Sequence, residues 1–241
     1  MDTKEQSLTK EQIIFSQYPI PKAIAVMAVP TIISQLITVV YNLADTWFVG
    51  LTGNAAAVAA ISLCLPVYNM MTAFSNLFGI GGASVSARAP GAQRTDRAQK
   101  AIFRTVTGAL CAAAGYSLIL IAAARPLLLR ISGDADSIGY AMTYTWITVI
   151  LGGIPTILSS TLAHLIRATG RPKISSCGIT MGAVLNMILD PLFMFVWLPR
   201  GHEVAGAAIA TALSNVVSVL FFLIFLLRRG DDVLKFRKPT D

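Results

Sequence analysis

Hydrophobic positions along this chain fall into long runs, without the regular alternation of a half-buried strand. A run of about 20 apolar residues can cross the roughly 30 Å hydrocarbon core of a bilayer as a helix. Six such runs are present, separated by short polar segments. They cover about residues 24–49, 55–80, 101–124, 138–163, 174–198 and 204–227. The pattern therefore predicts an all-α, polytopic transmembrane six-helix bundle.

Polar segments flank these runs at both ends. Residues 1–22 form a charged leader, and residues 230–241 form a charged tail. The leader lacks the small-residue cleavage site of a secretory signal peptide, so we expect it to remain as a cytoplasmic segment. The six-span transmembrane lobe is expected over residues 23–229.

Composition agrees with a membrane protein. Of the 241 residues 55% are hydrophobic and only 13% are charged, whereas soluble domains carry about 25% charged residues. The net charge of +7 would suggest nucleic acid as a partner in a soluble protein. Here the basic residues cluster between apolar runs without interleaved aromatic residues, so we expect no nucleic-acid binding.

The distribution of lysine and arginine predicts the orientation of the bundle. Sixteen of the 19 basic residues fall in or beside the leader, the tail and the segments after the second and fourth runs. Only Arg125, Arg130 and Arg200 fall on the opposite side. Because basic segments stay in the cytoplasm, both termini are expected there, beside the anionic lipids of the cell inner membrane.

Two acidic residues, Asp45 and Asp190, lie inside apolar runs. An aspartate at the centre of a membrane helix costs roughly 2.5–3.5 kcal/mol on insertion scales, and such residues usually serve a function. No lysine or arginine lies within a helical turn of either one. The alternative reading is that Asp45 reaches the outer interface and Asp190 caps a broken helix.

Depth groups these aspartates with two further polar residues. At a rise of 1.5 Å per residue, Asp45, Asp190 and Thr211 each lie roughly 9–12 Å below the outer end of a different span. Asn186 lies one turn from Asp190 on the same helix face. Oxygen ligands from three helices at one height predict a site for Na⁺ or for a shared proton.

Prolines and one tyrosine accompany this predicted site. Pro30 and Pro191 should kink the first and fifth spans, and Pro30 should free the carbonyl of Val26. Such kinks are candidate hinges for a conformational change. Tyr41, one turn before Asp45, could donate a hydrogen bond to that carboxylate or could simply pack beside it.

The remaining features favour packing over chemistry. The small-residue run 79–86 predicts close helix contact, His164 is expected to be packed or interfacial, and the three cysteines are expected to be small buried hydrophobic residues. No catalytic constellation and no cofactor motif is present, so we expect neither an enzyme nor a bound cofactor. The segments 30–34 and 155–159 share a Pro-Thr-Ile-aliphatic-Ser pattern, which suggests a three-plus-three inverted repeat.

Five motifs follow one another along the chain. They are Pro30 with the run 41–50 (Tyr-Asn-Leu-Ala-Asp-Thr-Trp-Phe-Val-Gly), the small-residue run 79–86, the run 166–172 (Ile-Arg-Ala-Thr-Gly-Arg-Pro), Asn186 to Leu192, and the run 206–211 (Gly-Ala-Ala-Ile-Ala-Thr). In this order they resemble the motifs of the multidrug and toxic compound extrusion (MATE) family, most closely its DNA-damage-inducible type. The segment 88–94 departs from the glycine-acid pattern usual in the family.

The resemblance implies antiport of drugs or cationic amphipathic compounds, coupled to Na⁺ or H⁺. It also implies that Asp45, Asn186, Asp190 and Thr211 bind the coupling cation, with Tyr41 and Pro30 in substrate binding or coupling. Members typically have twelve spans, so a missing C-terminal lobe or a second copy of this chain is the expected partner. Two alternatives remain. One is a flippase for a lipid-linked precursor, disfavoured by the lack of basic residues within the spans, and the other is an inactive lobe that serves as an assembly partner.

Overall fold

The computed structural model describes residues 18–91, 95–131, 135–199 and 201–229. Within these ranges the chain is helical and contains no strand. The leader up to residue 17 and the tail from residue 230 lie outside the described residues, so the predicted domain limits at residues 22 and 230 stay predictions. The first helix begins at Ile20, slightly before the expected start of the lobe.

Seven α-helices and two π-helical segments make up the described chain. The α-helices are α1 (Ile20–Leu51), α2 (Ala55–Gly91), α3 (Thr95–Ile131), α4 (Ala135–Thr145), α5 (Gly153–Ala168), α6 (Pro172–Pro191) and α7 (Glu203–Arg229). The π-helical segments are Trp146–Leu151, between α4 and α5, and Leu192–Trp197, which extends α6. Several helices are longer than the predicted runs, because hydropathy reports the width of the lipid core and helices continue into the headgroup region.

Five of these elements are long and apolar enough to cross a membrane alone, and α4 and α5 together form a sixth span. The prediction of an all-α six-span bundle is therefore confirmed, with one addition. The fourth span is bent by 54° between Leu151 and Gly153. Gly152 stands at the bend, where an added Cβ would lie 2.6 Å from the carbonyl oxygen of Thr148. The sequence did not predict this bend, because the apolar run continues through it.

The two prolines of the predicted site behave differently. Helix α1 continues without a break through Pro30, and Thr31 Oγ1 donates to the carbonyl of Met27. At Pro191 the α-helical part of α6 ends and the wider π-helical turns begin. Proline thus changes the helix type in the fifth span, where the missing N–H removes one rung of the α-helical ladder.

Helix packing relates the two halves of the bundle. The first span packs mainly against the fifth, and α5 of the fourth span packs mainly against α2 of the second. In an inverted repeat of three spans, the first span corresponds to the fourth and the second to the fifth. The contact between spans 1 and 5 should therefore recur as a contact between spans 4 and 2. The repeated motif also behaves alike in both copies, because Ser34 donates to the carbonyl of Thr31 and Ser159 to that of Thr156.

Small residues let these helices approach closely. In the run 79–86, a Cβ on Gly79 would lie 2.8 Å from Cδ2 of His164, and a Cβ on Gly82 would clash with Thr105. The prediction for the cysteines is correct for Cys64 and wrong for Cys111 and Cys177, which are exposed on the bundle surface. Those two thiols lie on helix faces that no other described helix covers, and periodicity within a wholly apolar run does not show such faces.

Candidate functional site

The predicted polar residues of α6 and α7 lie together inside the bundle. Asp190 is fully buried, and Asn186 and Thr211 are 2% and 6% exposed. Asn186 precedes Asp190 by one helical turn, so both side chains project from one face of α6. Thr211 faces them from α7, which packs directly against α6.

Hydrogen bonds connect these three residues. Asn186 Nδ2 donates to Asp190 Oδ1 over 3.1 Å and to Thr211 Oγ1 over 3.3 Å. Asp190 Oδ2 and Asn186 Oδ1 are also buried, and neither has a hydrogen-bond partner among the described residues. Two buried oxygens without donors are costly unless a cation, a proton or water satisfies them.

Asp45 adds a third such oxygen from α1. Its Oδ1 atom is buried without a hydrogen-bond partner in the described part of the chain. The Asp45 carboxylate is close enough to Asp190 for the two charges to interact, although no described hydrogen bond joins Asp45 to Asn186, Asp190 or Thr211. We call these four residues the carboxylate cluster.

Aromatic residues surround the Asp45 side of the carboxylate cluster. Tyr68 on α2 and Tyr144 on α4 lie close enough to Asp45 for its charge to affect them, and no feature of the sequence pattern indicated either tyrosine. Tyr41 lines a neighbouring cavity beside Tyr68 and makes no described hydrogen bond to Asp45. Pro30 lies on α1, about four turns before Asp45 at 3.6 residues per turn, and does not touch the carboxylate cluster.

The chemistry of this donor set fits a small hard cation. Sodium, like calcium and magnesium, prefers carboxylate, amide and hydroxyl oxygens, and Asp45, Asn186, Asp190 and Thr211 supply all three types. No group of three or more histidine, cysteine or acidic side chains suited to a transition metal occurs in the residues that the structure describes. The same unpartnered oxygens could instead share a proton, because two nearby carboxylates do not easily both ionise.

A polar cavity of about 390 Å³ lies beside the carboxylate cluster, between α1, α2, α5, α6 and α7. Asn186 and Thr211 line it, whereas Asp45 and Asp190 do not. Its lining is rich in hydroxyls and side-chain amides, the amides being Gln35, Asn42, Asn69, Asn76, Asn186 and Asn215. None of the described lining residues is aspartate or glutamate.

Positive charge lines the other end of this cavity. Arg167 lies in the last turn of α5, beyond the end of the predicted apolar run, and its side chain lines the cavity. His164 lies one turn earlier and shares a 3.2 Å hydrogen bond between its Nε2 atom and Asn76 Oδ1. We call Asn76, His164 and Arg167 the basic end. The spans were expected to lack basic residues, and Arg167 lies at the end of its helix, yet its side chain reaches the cavity because the α-helix continues past the apolar run.

Comparisons with known proteins agree with this architecture. The MatE family model matches residues 30–192. The multidrug export protein MepA of Staphylococcus saprophyticus is 31% identical over 229 residues, which cover 94% of this chain and 50% of MepA. MepA of Staphylococcus aureus strain MRSA252 is 32% identical, with the same coverage of both chains. The chain thus spans about half the length of these relatives.

Solved transporter structures share the fold. A crystal structure of a MATE protein in its bent conformation superposes with a TM-score of 0.84 at 26% identity, covering 97% of this chain and 51% of that one. Most of the six-span bundle therefore corresponds to one half of a larger structure. The chain belongs to the MatE family of multi-pass membrane transporters.

Proposed function

We propose that this chain is one half of an exporter that couples the outward movement of drugs or cationic amphipathic compounds to inward movement of Na⁺ or H⁺. The observation that carries the proposal is the carboxylate cluster, in which three buried oxygens have no described donor. It adjoins a cavity of about 390 Å³, which is within the usual range of small-molecule sites. The named relatives are multidrug export proteins.

The proposed mechanism is competition between the ion and the substrate. When Na⁺ or H⁺ occupies Asp45 and Asp190, their charge is neutralised and a cationic substrate is released. When both carboxylates are ionised, they attract the next cation. The ion shifts the conformational equilibrium only by its difference in affinity between the two states, and Pro30 and Tyr41 on α1 are the candidates for transmitting that shift.

Assembly and orientation belong to the same proposal. A second six-span half completes the cavity, supplied by a C-terminal lobe or by a second copy of this chain. The exposed apolar face of α1 supports this arrangement, since only 6% of its most apolar window is buried. The distribution of basic residues supports termini in the cytoplasm and a location in the cell inner membrane. Crosslinking in native membranes distinguishes a homodimer from a monomer.

The test is ion-driven efflux of a fluorescent cation from proteoliposomes that contain the chain. We expect an inward Na⁺ or H⁺ gradient to accelerate efflux and Asp45→Asn to abolish that acceleration. Glu203→Gln is the matched control, because it removes a carboxylate outside the cavity and the carboxylate cluster. Equal ion dependence in the wild type and Asp45→Asn would contradict the coupling mechanism. An inactive assembly lobe would show no efflux in any variant.

One observation supports a second candidate, the flippase for a lipid-linked precursor. Arg167 and His164 line the cavity, and a basic wall suits a phosphate-bearing lipid. Movement of a fluorescent lipid phosphate between leaflets, in the same proteoliposomes, tests this alternative against efflux of the cation.

A further inference from the structure

The described wall of the cavity carries one permanent charge, and that charge is positive. Arg167 provides it, and no acidic side chain lines the cavity in the described ranges. A wall that recognised only cations would be expected to show a carboxylate to its ligand. The nearest carboxylates, Asp45 and Asp190, belong to the carboxylate cluster outside the lining.

Arg167 is also left with unused hydrogen-bonding capacity. Its Nε atom is buried and has no hydrogen-bond partner among the described residues. A guanidinium carries five N–H donors and accepts nothing, so only an acceptor can satisfy it. Burying such a group without an acceptor is unfavourable, and carboxylates and phosphates are the oxyanions that fit its fork geometry.

The neighbours of Arg167 offer further donors. His164 Nε2 lies 3.2 Å from Oδ1 of Asn76, and because an amide oxygen only accepts, this hydrogen bond forms in the tautomer that has the proton on Nε2. That hydrogen bond uses one lone pair of the Asn76 oxygen and none of its amide N–H groups, so those N–H groups can donate to a ligand in the cavity that Asn76 lines. His164 and Arg167 are three residues apart on α5 and therefore share a face.

We propose that the basic end is a subsite for the oxyanion of an amphipathic ligand, a carboxylate or a phosphate. Arg167 pairs with the oxyanion, Asn76 donates to it, and His164 orients Asn76. The ligand class is therefore an amphiphile that carries an oxyanion, and a zwitterion of this class also has the cationic group that the proposed exporter requires. This proposal relies on the proposed function only for the idea that the cavity holds the transported molecule.

The experiment compares two probes that differ by one charge, dansylglycine and its uncharged methyl ester. Binding to the chain in maltoside micelles, which contain no phosphate, is followed by dansyl fluorescence. We expect the acid to bind at least tenfold more tightly than the ester. Arg167→Gln should remove that preference and leave the affinity for the ester unchanged. Arg167→Lys should retain part of it, because an ammonium keeps the charge and loses the fork geometry.

Lys173→Gln is the matched control, since Lys173 is an exposed basic residue beyond the same end of α5 and outside the cavity lining. It should leave the acid preference intact. Equal affinity of the wild type for both probes would overturn the subsite, as would an acid preference that persists in Arg167→Gln. If Arg167→Gln does not remain monodisperse, the affinities of the wild type and of Arg167→Lys for the acid and the ester still test the subsite.

Competition identifies the source of the oxyanion. Displacement of dansylglycine by dihexanoyl phosphatidylglycerol but not by inorganic phosphate supports a lipid headgroup, and displacement by neither supports a carboxylate ligand. Different results would contradict the subsite and the coupling mechanism. An acid preference without any effect of Na⁺ or H⁺ on efflux contradicts only the coupling, and ion-dependent efflux without an acid preference contradicts only the subsite.

Discussion

The carboxylate cluster and the basic end lie at one cavity and lack opposite hydrogen-bonding partners. In the carboxylate cluster, oxygens of Asp45, Asn186 and Asp190 are buried without a donor among the residues that the structure describes. In the basic end, Nε of Arg167 is buried without an acceptor in the same part of the chain. Burial is costly for both, yet we propose that a cation or proton completes one region and an oxyanion completes the other. The ligand that each region suits depends on whether its unpaired group is an acceptor or a donor, more than on the polarity of the cavity.

The two regions also differ in how much of their structure depends on a ligand. Asn186 donates to both Asp190 and Thr211 and so joins three of the four residues of the carboxylate cluster without an ion, whereas no described hydrogen bond joins Asp45 to them. In the basic end the described hydrogen bond joins His164 and Asn76, and Arg167 takes no part in it. Four substitutions test this contrast.

The largest effect is expected from Asp190→Asn. It removes a fully buried charge, so Na⁺ should no longer stabilise the chain. If Na⁺ binds only the folded wild type, a concentration of 100 times Kd adds about 2.7 kcal/mol, or roughly 5–11 °C in Tm. Thermal unfolding in NaCl and in choline chloride measures this difference. An equal Na⁺ effect in Asp190→Asn would show that the ion binds elsewhere, and Glu203→Gln should behave as the wild type.

Asn186→Ala should have the next largest effect. It removes the donor to Asp190 and to Thr211, and leaving buried acceptors unpaired should cost about 2 kcal/mol, or about 4–8 °C in Tm. Added Na⁺ should recover part of the loss, since the ion replaces the missing donor. The control is Asn69→Ala, an exposed amide of α2, which should change Tm little. A Tm of Asn186→Ala equal to that of the wild type would argue against the central role of this amide.

Gly79→Ala should act on the basic end instead. Its Cβ would lie 2.8 Å from Cδ2 of His164, so the ring must move and its bond to Asn76 should break. Overpacking of this kind costs about 1–3 kcal/mol, offset by up to about 1 kcal/mol from the better helix propensity of alanine. The affinity for dansylglycine should fall while the Na⁺ effect on Tm stays unchanged.

Gly81→Ala is the matched control for Gly79→Ala. A Cβ there meets nothing within 4 Å, so this substitution should be neutral or stabilising by up to about 1 kcal/mol. Similar losses of dansylglycine affinity in both variants would contradict a specific role for His164.

The smallest effect is expected from Thr211→Val. It keeps the shape of the side chain and removes one acceptor of the Asn186 amide. Asn186 retains its bond to Asp190, so the loss should be about 1 kcal/mol, or about 2–4 °C in Tm. Na⁺ affinity should fall only a few-fold. A Na⁺ response as weak as that of Asp190→Asn would instead make Thr211 an essential ligand.

The sequence indicated the residues of the carboxylate cluster because lipid makes polar residues conspicuous. Asp45 and Asp190 interrupt apolar runs, and counting 1.5 Å per residue put them at one height with Thr211. Depth says nothing of rotation around each helix axis. The hydrogen bonds from Asn186 to Asp190 and Thr211 therefore required the packing of α6 against α7.

The basic end was hidden for a related reason. Arg167 follows an apolar run, and a residue in that position looks like part of a loop. In the structure α5 continues to Ala168, and the bend before Gly153 helps set the direction of that helix. Tyr68 and Tyr144 were hidden too, because aromatic residues inside apolar runs are ordinary in composition.

The sequence by itself determined that six apolar spans cross the membrane and that two aspartates lie within them. These aspartates were identified as functional candidates because a charge in lipid is costly. Tertiary structure alone decided which polar atoms meet. It gave the Asp190 carboxylate an amide partner, left Nε of Arg167 without an acceptor among the described residues, and placed both groups beside one cavity. The reason is physical: insertion into lipid depends on the summed hydropathy of each segment, whereas contacts depend on how neighbouring helices rotate, bend and pack.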